Sequence, residues 1–172
     1  MKKFPEWANR LPILLPVVVI VCIVGYYAVL FGAGMAELTY KTNVEFPLVK
    51  DVAKCAVTSY LEAEGCREDV TQMACGVDKM ERYWVEVTFQ DDPLTYQYEY
   101  DPAGQSVCLT AIHGQSEGAG TPQHSPAYDT IEPGSSLYVY SIEEYLQAHE
   151  FSKVEQFVKS KLFERVAVRV SS

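Results

Sequence analysis

Arg82–His113, RYWVEVTFQDDPLTYQYEYDPAGQSVCLTAIH, decides the fold. Tyr83, Val85, Val87 and Phe89 alternate with Trp84, Glu86, Thr88 and Gln90. That period of two is what a half-buried strand needs. Leu94, Tyr96, Tyr98 and Tyr100 then alternate with Thr95, Gln97 and Glu99. Asp101-Pro102-Ala103-Gly104 carries Pro second and Gly fourth, the preferences of a type I turn. Asp91-Asp92-Pro93 separates the first two strands in the same manner. The stretch predicts three antiparallel strands joined by short turns.

Upstream, Val49, Val52, Ala53, Ala56, Val57, Tyr60 and Leu61 recur every three or four residues behind Pro47. This is one apolar stripe of a helix over 47–64, with Gly65 placed to form a left-handed cap. Glu68–Val77 predicts one more strand, in which Met73, Cys75 and Val77 alternate and Val70 fits neither phase. Residues 47–113 therefore predict one helix packed on a four-stranded antiparallel meander. The helix covers the face bearing Val85, Val87, Phe89, Leu94, Tyr96 and Tyr98. The other face, with Glu86, Thr88, Gln97 and Glu99, stays wet.

Leu11–Ala36 contains no charged residue. About 20 helical residues cross a hydrocarbon layer of about 30 Å, and only a helix satisfies the backbone of a lone segment there. Three basic residues precede this segment and Glu37 follows it, so the positive-inside rule leaves residues 1–10 in the cytoplasm and the body outside. Gly34-Met35-Ala36 offers small residues for signal cleavage. The apolar run is longer than a signal core, which favours a retained transmembrane anchor over 11–36. Glu37–Phe46 reads as a short polar connector.

Net charge is −9 and unevenly spread: residues 37–113 hold six basic and fourteen acidic groups, and 141–172 hold five of each. An acidic body argues against nucleic-acid binding and against lying flat on anionic lipid. Residues 114–136, rich in Gly, Ser, Pro, Gln and Thr, read as a flexible loop. Beyond it, 137–172 reads as a helical extension. Leu137–Tyr140 is β-prone, and Ser141…Glu144 and Ser152…Glu155 are capping boxes that start helices near 141–149 and 152–164. Val154, Phe157, Val158 and Leu162 form the second helix's apolar stripe, expected to dock on its own domain. Val166, Val168 and Val170 alternate with Ala167 and Arg169, which allows a final strand.

Four cysteines lie outside the apolar segment: Cys55, Cys66, Cys75 and Cys108. In an oxidising compartment they permit two bridges. A helix separates Cys55 from Cys66 by about 16 Å, too far to bridge. Cys75 shares the apolar phase of its strand, so Cys55–Cys75 is the leading pair; reduced thiols are the alternative. Cys108 lies opposite the phase of Val107, Leu109 and Ala111. No pair has zinc-finger spacing, and no nucleophile elbow, phosphate loop or dinucleotide fingerprint occurs, so no metal, cofactor or catalytic site is expected. His113, His124 and His149 have no partner at ligand spacing. Asp91-Asp92 is explained best as turn chemistry, and Tyr83, Tyr96, Tyr98 and Tyr100 as cross-strand aromatic packing.

The helix ending TSYLEAEG, followed by YWVEVTFQDDPLTYQYEYD behind a short basic start and a single span, resembles the YfjL-like small membrane-anchored proteins of Gram-positive bacteria. The likeness covers about residues 1–113, and its most specific piece is Trp84–Tyr100. It implies an anchored, extracytoplasmic α+β domain and supplies no catalytic residue or ligand. The four outer cysteines and Ser141–Ser172 depart from that pattern.

The function expected is that of a single-pass membrane protein whose outer domain binds or regulates another cell-surface protein. An envelope hydrolase is the alternative, with Asp91, Asp92 and His113 as its first suspects. A pilin-like subunit is a third reading, disfavoured because no glycine-based processing site precedes the apolar run.

Overall fold

The computed structural model describes residues 11–90, 92–114 and 138–171, with side chains from residue 18 onward. The chain divides into two units, Met1–Asn43 and Val44–Ser172.

The first unit carries helix α1, Leu11–Tyr40. Its residues from Val18 to Leu38 are exposed, and their large side chains are mostly apolar. It is the one helix among the described residues that is long and apolar enough to cross a membrane. The expected polar connector over 37–46 is helical instead. Helix α1 runs to Tyr40 and a π-helical turn follows over Lys41–Glu45. No glycine or proline interrupts 37–45. Pro47 lacks an amide N–H and crowds the preceding turn, and a widened turn just before it removes that conflict.

In the second unit, helix α2, Phe46–Ala63, buries all seven residues of the predicted stripe together with Leu48. Its end is a Schellman motif: the Cys66 amide donates to the Leu61 carbonyl and the Gly65 amide to the Glu62 carbonyl, with Gly65 at φ +75°. Strands β1 (Val70–Val77), β2 (Tyr83–Phe89), β3 (Thr95–Asp101), β4 (Ser106–His113) and β5 (Tyr138–Val139) form one open sheet in sequence order, every neighbour antiparallel. Among the described residues the sheet thus has five strands, the fifth added at Tyr138–Val139 to the expected four-stranded meander. Val70 fits no phase because a bulge at Thr71 breaks the register there.

The C-terminal part forms α3, Ile142–Ala148, and α4, Lys153–Val170. Both start at complete capping boxes on Ser141 and Ser152. The anticipated final strand is absent: Val166, Val168 and Val170 lie on α4. Of the expected stripe of α4 Leu162 packs, partly buried, while Val154, Phe157 and Val158 are exposed; the buried residues of α4 are Phe163 and Val166.

The core lies between α2 and one face of the sheet. Alanine and valine on the helix meet tyrosine bulk on the strands. The Tyr60 ring sits edge-on to Tyr98 and to Tyr138, each 5.6 Å away between centroids. Phe89 meets Tyr96 at 5.2 Å, and Tyr100 meets Phe163 at 6.4 Å. Edge-to-face pairs at such spacing add stability beyond their buried area.

Candidate functional site

The second face of the sheet is not covered by α2. Strand register orders it into three cross-strand rows. Gly76, Trp84, Glu99 and Cys108 form the first, Ala74, Glu86, Gln97 and Ala111 the second, and Gln72, Thr88, Thr95 and His113 the third. Ala111 was expected on the covered face. A bulge at Thr110 pairs Leu109 with Tyr98 and Ala111 with Gln97, so Ala111 moves to the open side and Ile112 to the core side.

Trp84 gives this face its shape. The position cross-strand from it is glycine, and a Cβ built on Gly76 falls only 2.1 Å from the Trp84 Cζ2 atom. The indole therefore occupies the space a side chain at position 76 would take. Beside it is a shallow depression of about 230 Å³ lined by Asp78, Arg82, Trp84, Gln97, Glu99, Thr110 and Ala111. Its rim is held by the β1–β2 turn. Asp78 accepts from the Met80 amide at 2.8 Å, from the Arg82 amide at 3.0 Å and from the Arg82 Nε at 2.8 Å. These bonds, led by that from the Arg82 amide, hold the Asp78 carboxyl below the usual carboxylate range, and Asp78 raises Arg82 in turn. Across the face, His113 Nε2 lies 2.8 Å from Gln97 Oε1. The result is an aromatic platform with one fixed ion pair and a carboxylate, suited to holding a peptide side chain or backbone.

The residues singled out from sequence are not gathered there. Asp92 is buried, accepting from the Leu94 amide at 2.9 Å and from the Tyr96 hydroxyl at 2.5 Å. Its carboxylate thus faces the core side, whereas the His113 ring lies on the open side with Gln97. Asp91 lies outside the described residues, as does His124. His149 stacks on Phe151 at 5.3 Å. Tyr83, Tyr96, Tyr98 and Tyr100 are all buried. Among the described residues the hydroxyls of Tyr83 and Tyr98 have no hydrogen-bond partner, and burial pushes both above the ordinary tyrosine range. The structure joins none of the five cysteines in a disulfide. Cys55 on α2 and Cys75 on β1 both pack partly buried against the core. Burial raises the Cys55 and Cys108 thiols, with nearby carboxylates adding to it. Among the described residues no group of three or more His, Cys, Asp or Glu side chains could hold a metal ion.

One cluster escaped the sequence reading. Glu45 is fully buried and accepts from Arg169 at 2.7 Å, with the Arg165 Nε 3.8 Å away. Arg169 also donates to Glu81 at 2.8 Å, a residue at φ +60° in the β1–β2 turn. Burial opposes the charge on Arg169, but bonds to Glu45 and Glu81 outweigh it and raise its pKa. The signal was a charge set in apolar surroundings, Glu45 after Val44 and before Phe46, and Arg169 between Val168 and Val170.

Neither a family model, nor a curated protein, nor a solved structure matches the chain.

Proposed function

We propose that this chain is a single-pass membrane protein, with its N-terminus in the cytoplasm and the Val44–Ser172 unit outside, that binds another cell-surface protein through the open face of its sheet. The observation that carries the reading is Trp84 seated in the space left by Gly76 beside the depression. Tryptophan and arginine are the side chains enriched at the energetic centres of interfaces. A strand position that surrenders its own side chain to seat an indole is hard to explain as solvated surface alone. The candidate span of α1, the basic residues before it and the likeness of Trp84–Tyr100 to the YfjL-like proteins support the anchored arrangement.

The test is co-purification from gently solubilised membranes, comparing the unaltered chain with Trp84→Ala and Glu99→Lys. Proteins that accompany the unaltered chain are expected to be lost with both variants. An unchanged set, from variants that fold and reach the membrane, overturns the reading. A membrane-impermeant maleimide on intact cells checks the topology through Cys66 and Cys108, with lysed cells as the reference.

A further inference from the structure

Strand β1 forms one edge of the sheet, and among the described residues no strand pairs with its outer side. Natural sheets guard such an edge with charges, proline or a covering element. Gln72–Val77, QMACGV, contains neither a charge nor a proline. The ladder fixes which backbone groups face outward. The Asp78 amide donates to the Arg82 carbonyl at 3.1 Å, so this pair is a hydrogen-bonded one. Such pairs alternate along an antiparallel ladder. Gly76–Trp84, Ala74–Glu86 and Gln72–Thr88 follow in the same phase. The amides and carbonyls of Met73, Cys75 and Val77 therefore point away from β2, to the open edge. A bulge at Thr71 ends the regular edge on one side, and the turn that starts at Asp78 ends it on the other. Its midpoint is Cys75.

We infer that β1 pairs antiparallel with β1 of a second copy of this chain, about a two-fold axis at Cys75. In that register Met73 stands opposite the second copy's Val77, and Cys75 opposite the second copy's Cys75. Each of the three opposed pairs exchanges two bonds, about six in all. An axis at Ala74 or at Gly76 opposes only two pairs of outward-facing residues, about four bonds. The bulge and the turn thus select the register as well as bounding the edge. The two sheets become one, with both open faces on the same side, so two Trp84 depressions stand side by side.

Two observations favour a second copy over a foreign strand. The register sets the second copy's Ala74 opposite Gly76. The Trp84 indole, which fills the space a side chain at position 76 would take, then has only a methyl group beside it across the junction. The antiparallel direction also brings Lys79, in the turn after β1, to the start of the second copy's β1, which follows Glu68 and Asp69. All three are exposed, and none is in an ion pair among the described residues. The charges that flank the edge are therefore complementary when the chain meets itself head to tail.

The inference rests on the edge of β1, and not on membrane anchorage or on binding at the open face. It is tested on the full chain, expressed as two versions with different affinity tags. After reduction and removal of the reductant, copper phenanthroline in air oxidises thiols held within reach of each other, with dioxygen as the oxidant. Opposed Cα atoms in a hydrogen-bonded pair lie about 5.5 Å apart, inside the range a disulfide spans. A product of doubled mass is expected from the unaltered chain. It should be lost with Cys75→Ser and kept with Cys22→Ser and with Cys66→Ser. A second measurement needs no thiol. Proline at position 75 removes an amide that faces the open edge and no bond to β2. Co-purification of one tag with the other should be kept with Cys75→Ser and lost with Cys75→Pro, with circular dichroism checking the fold of each. If the proline variant does not fold, the cross-link alone decides. No doubled product, or one that persists in Cys75→Ser, overturns the inference. A product that needs Cys22 instead overturns it in favour of contact between the apolar helices. Equal co-purification by the serine and proline variants overturns it as well.

Discussion

Replacing Gly76 by alanine adds a single methyl group and tests the architecture of the open face. The backbone tolerates the change, because Gly76 is not in the left-handed region. The obstacle is Trp84: the new Cβ would lie 2.1, 2.5 and 2.9 Å from three atoms of the indole. Carbon atoms pack at about 3.5–4.0 Å, so a rigid ring must move by more than 1 Å or leave. If it leaves, about 100 Å² of half-buried apolar surface returns to water, about 2.5 kcal/mol. Alanine in place of glycine gives back about 0.5–1 kcal/mol of backbone entropy. The net expectation is a loss of about 1.5–2 kcal/mol.

In a Trp84→Ala background the obstacle is gone, and the same Gly76→Ala change should stabilise by about 0.5–1 kcal/mol. The coupling between the two positions is then about 2–3 kcal/mol, well outside the additivity of independent sites. Guanidinium unfolding of the detergent-solubilised chain, followed through the tyrosine near-ultraviolet signal, measures it. The chain has two tryptophans, so a red shift in the Trp84 emission on Gly76→Ala is read in a Trp7→Phe background. Equal destabilisation by Gly76→Ala in both backgrounds would refute the packing of Trp84 on this glycine.

Arg169→Ala leaves the Glu45 carboxylate, among the described residues, with Arg165 3.8 Å away. Breaking a fully buried pair costs about 3–5 kcal/mol, and Arg169's partial exposure lowers the expectation to about 2–3 kcal/mol in the same unfolding assay. Glu45→Gln, which keeps a hydrogen-bonding oxygen, should cost less than Glu45→Ala. Ser141→Ala and Ser152→Ala each remove a capping box and should cost about 1 kcal/mol. Burial pushes Tyr60, Tyr140 and Tyr145 up to about 12. Their folded values exceed the ordinary value of about 10, so their contribution is complete below pH 10 and is lost as pH rises through 12. Phenolate absorbance and unfolding should therefore rise together between those limits; ionisation complete near pH 10 in the folded chain would contradict it. Maleimide labelling with and without prior reduction reads the state of Cys55 and Cys75. Free, partly buried thiols label slowly without reduction, whereas a bridge labels only after it.

Much of the fold follows from local rules that tertiary contacts do not override. The alternation from Tyr83 to Phe89 sorts its side chains between core and open face as periodicity requires. The stripe of α2, the glycine that ends it and the two serine caps are likewise decided within a few residues of chain. What sequence reasoning missed has partners far away. Glu45 reads as one more charge in a polar connector, and only Arg169, 124 residues on, makes it a buried ion. The shift of Ala111 to the open face depends on one bulged residue, Thr110, whose hydroxyl donates to the Gln97 carbonyl of the neighbouring strand at 3.1 Å. Nothing in the order of residues 106–113 marks which one bulges. The depression beside Trp84 depends on Gly76, and a glycine inside a weak strand signals a close approach without naming what approaches.

The end of α4 shows how two periodicities compete. Val166, Val168 and Val170 alternate as a strand does, and β-branched residues favour one. A strand there would need an edge of the sheet to pair with and would have to abandon the helix already nucleated at the Ser152 capping box. Helix nucleation is the costly step, and propagation adds a hydrogen bond per residue. Continuing the helix also aligns Phe163 with Val166, three residues apart, against the core, and brings Arg169 one turn further to Glu45 and Glu81. A strand would split those three between two faces. The result turns Val154, Phe157 and Val158 outward. The stripe seen in the sequence is therefore divided, with Leu162 turned toward the core beside Phe163 and Val166.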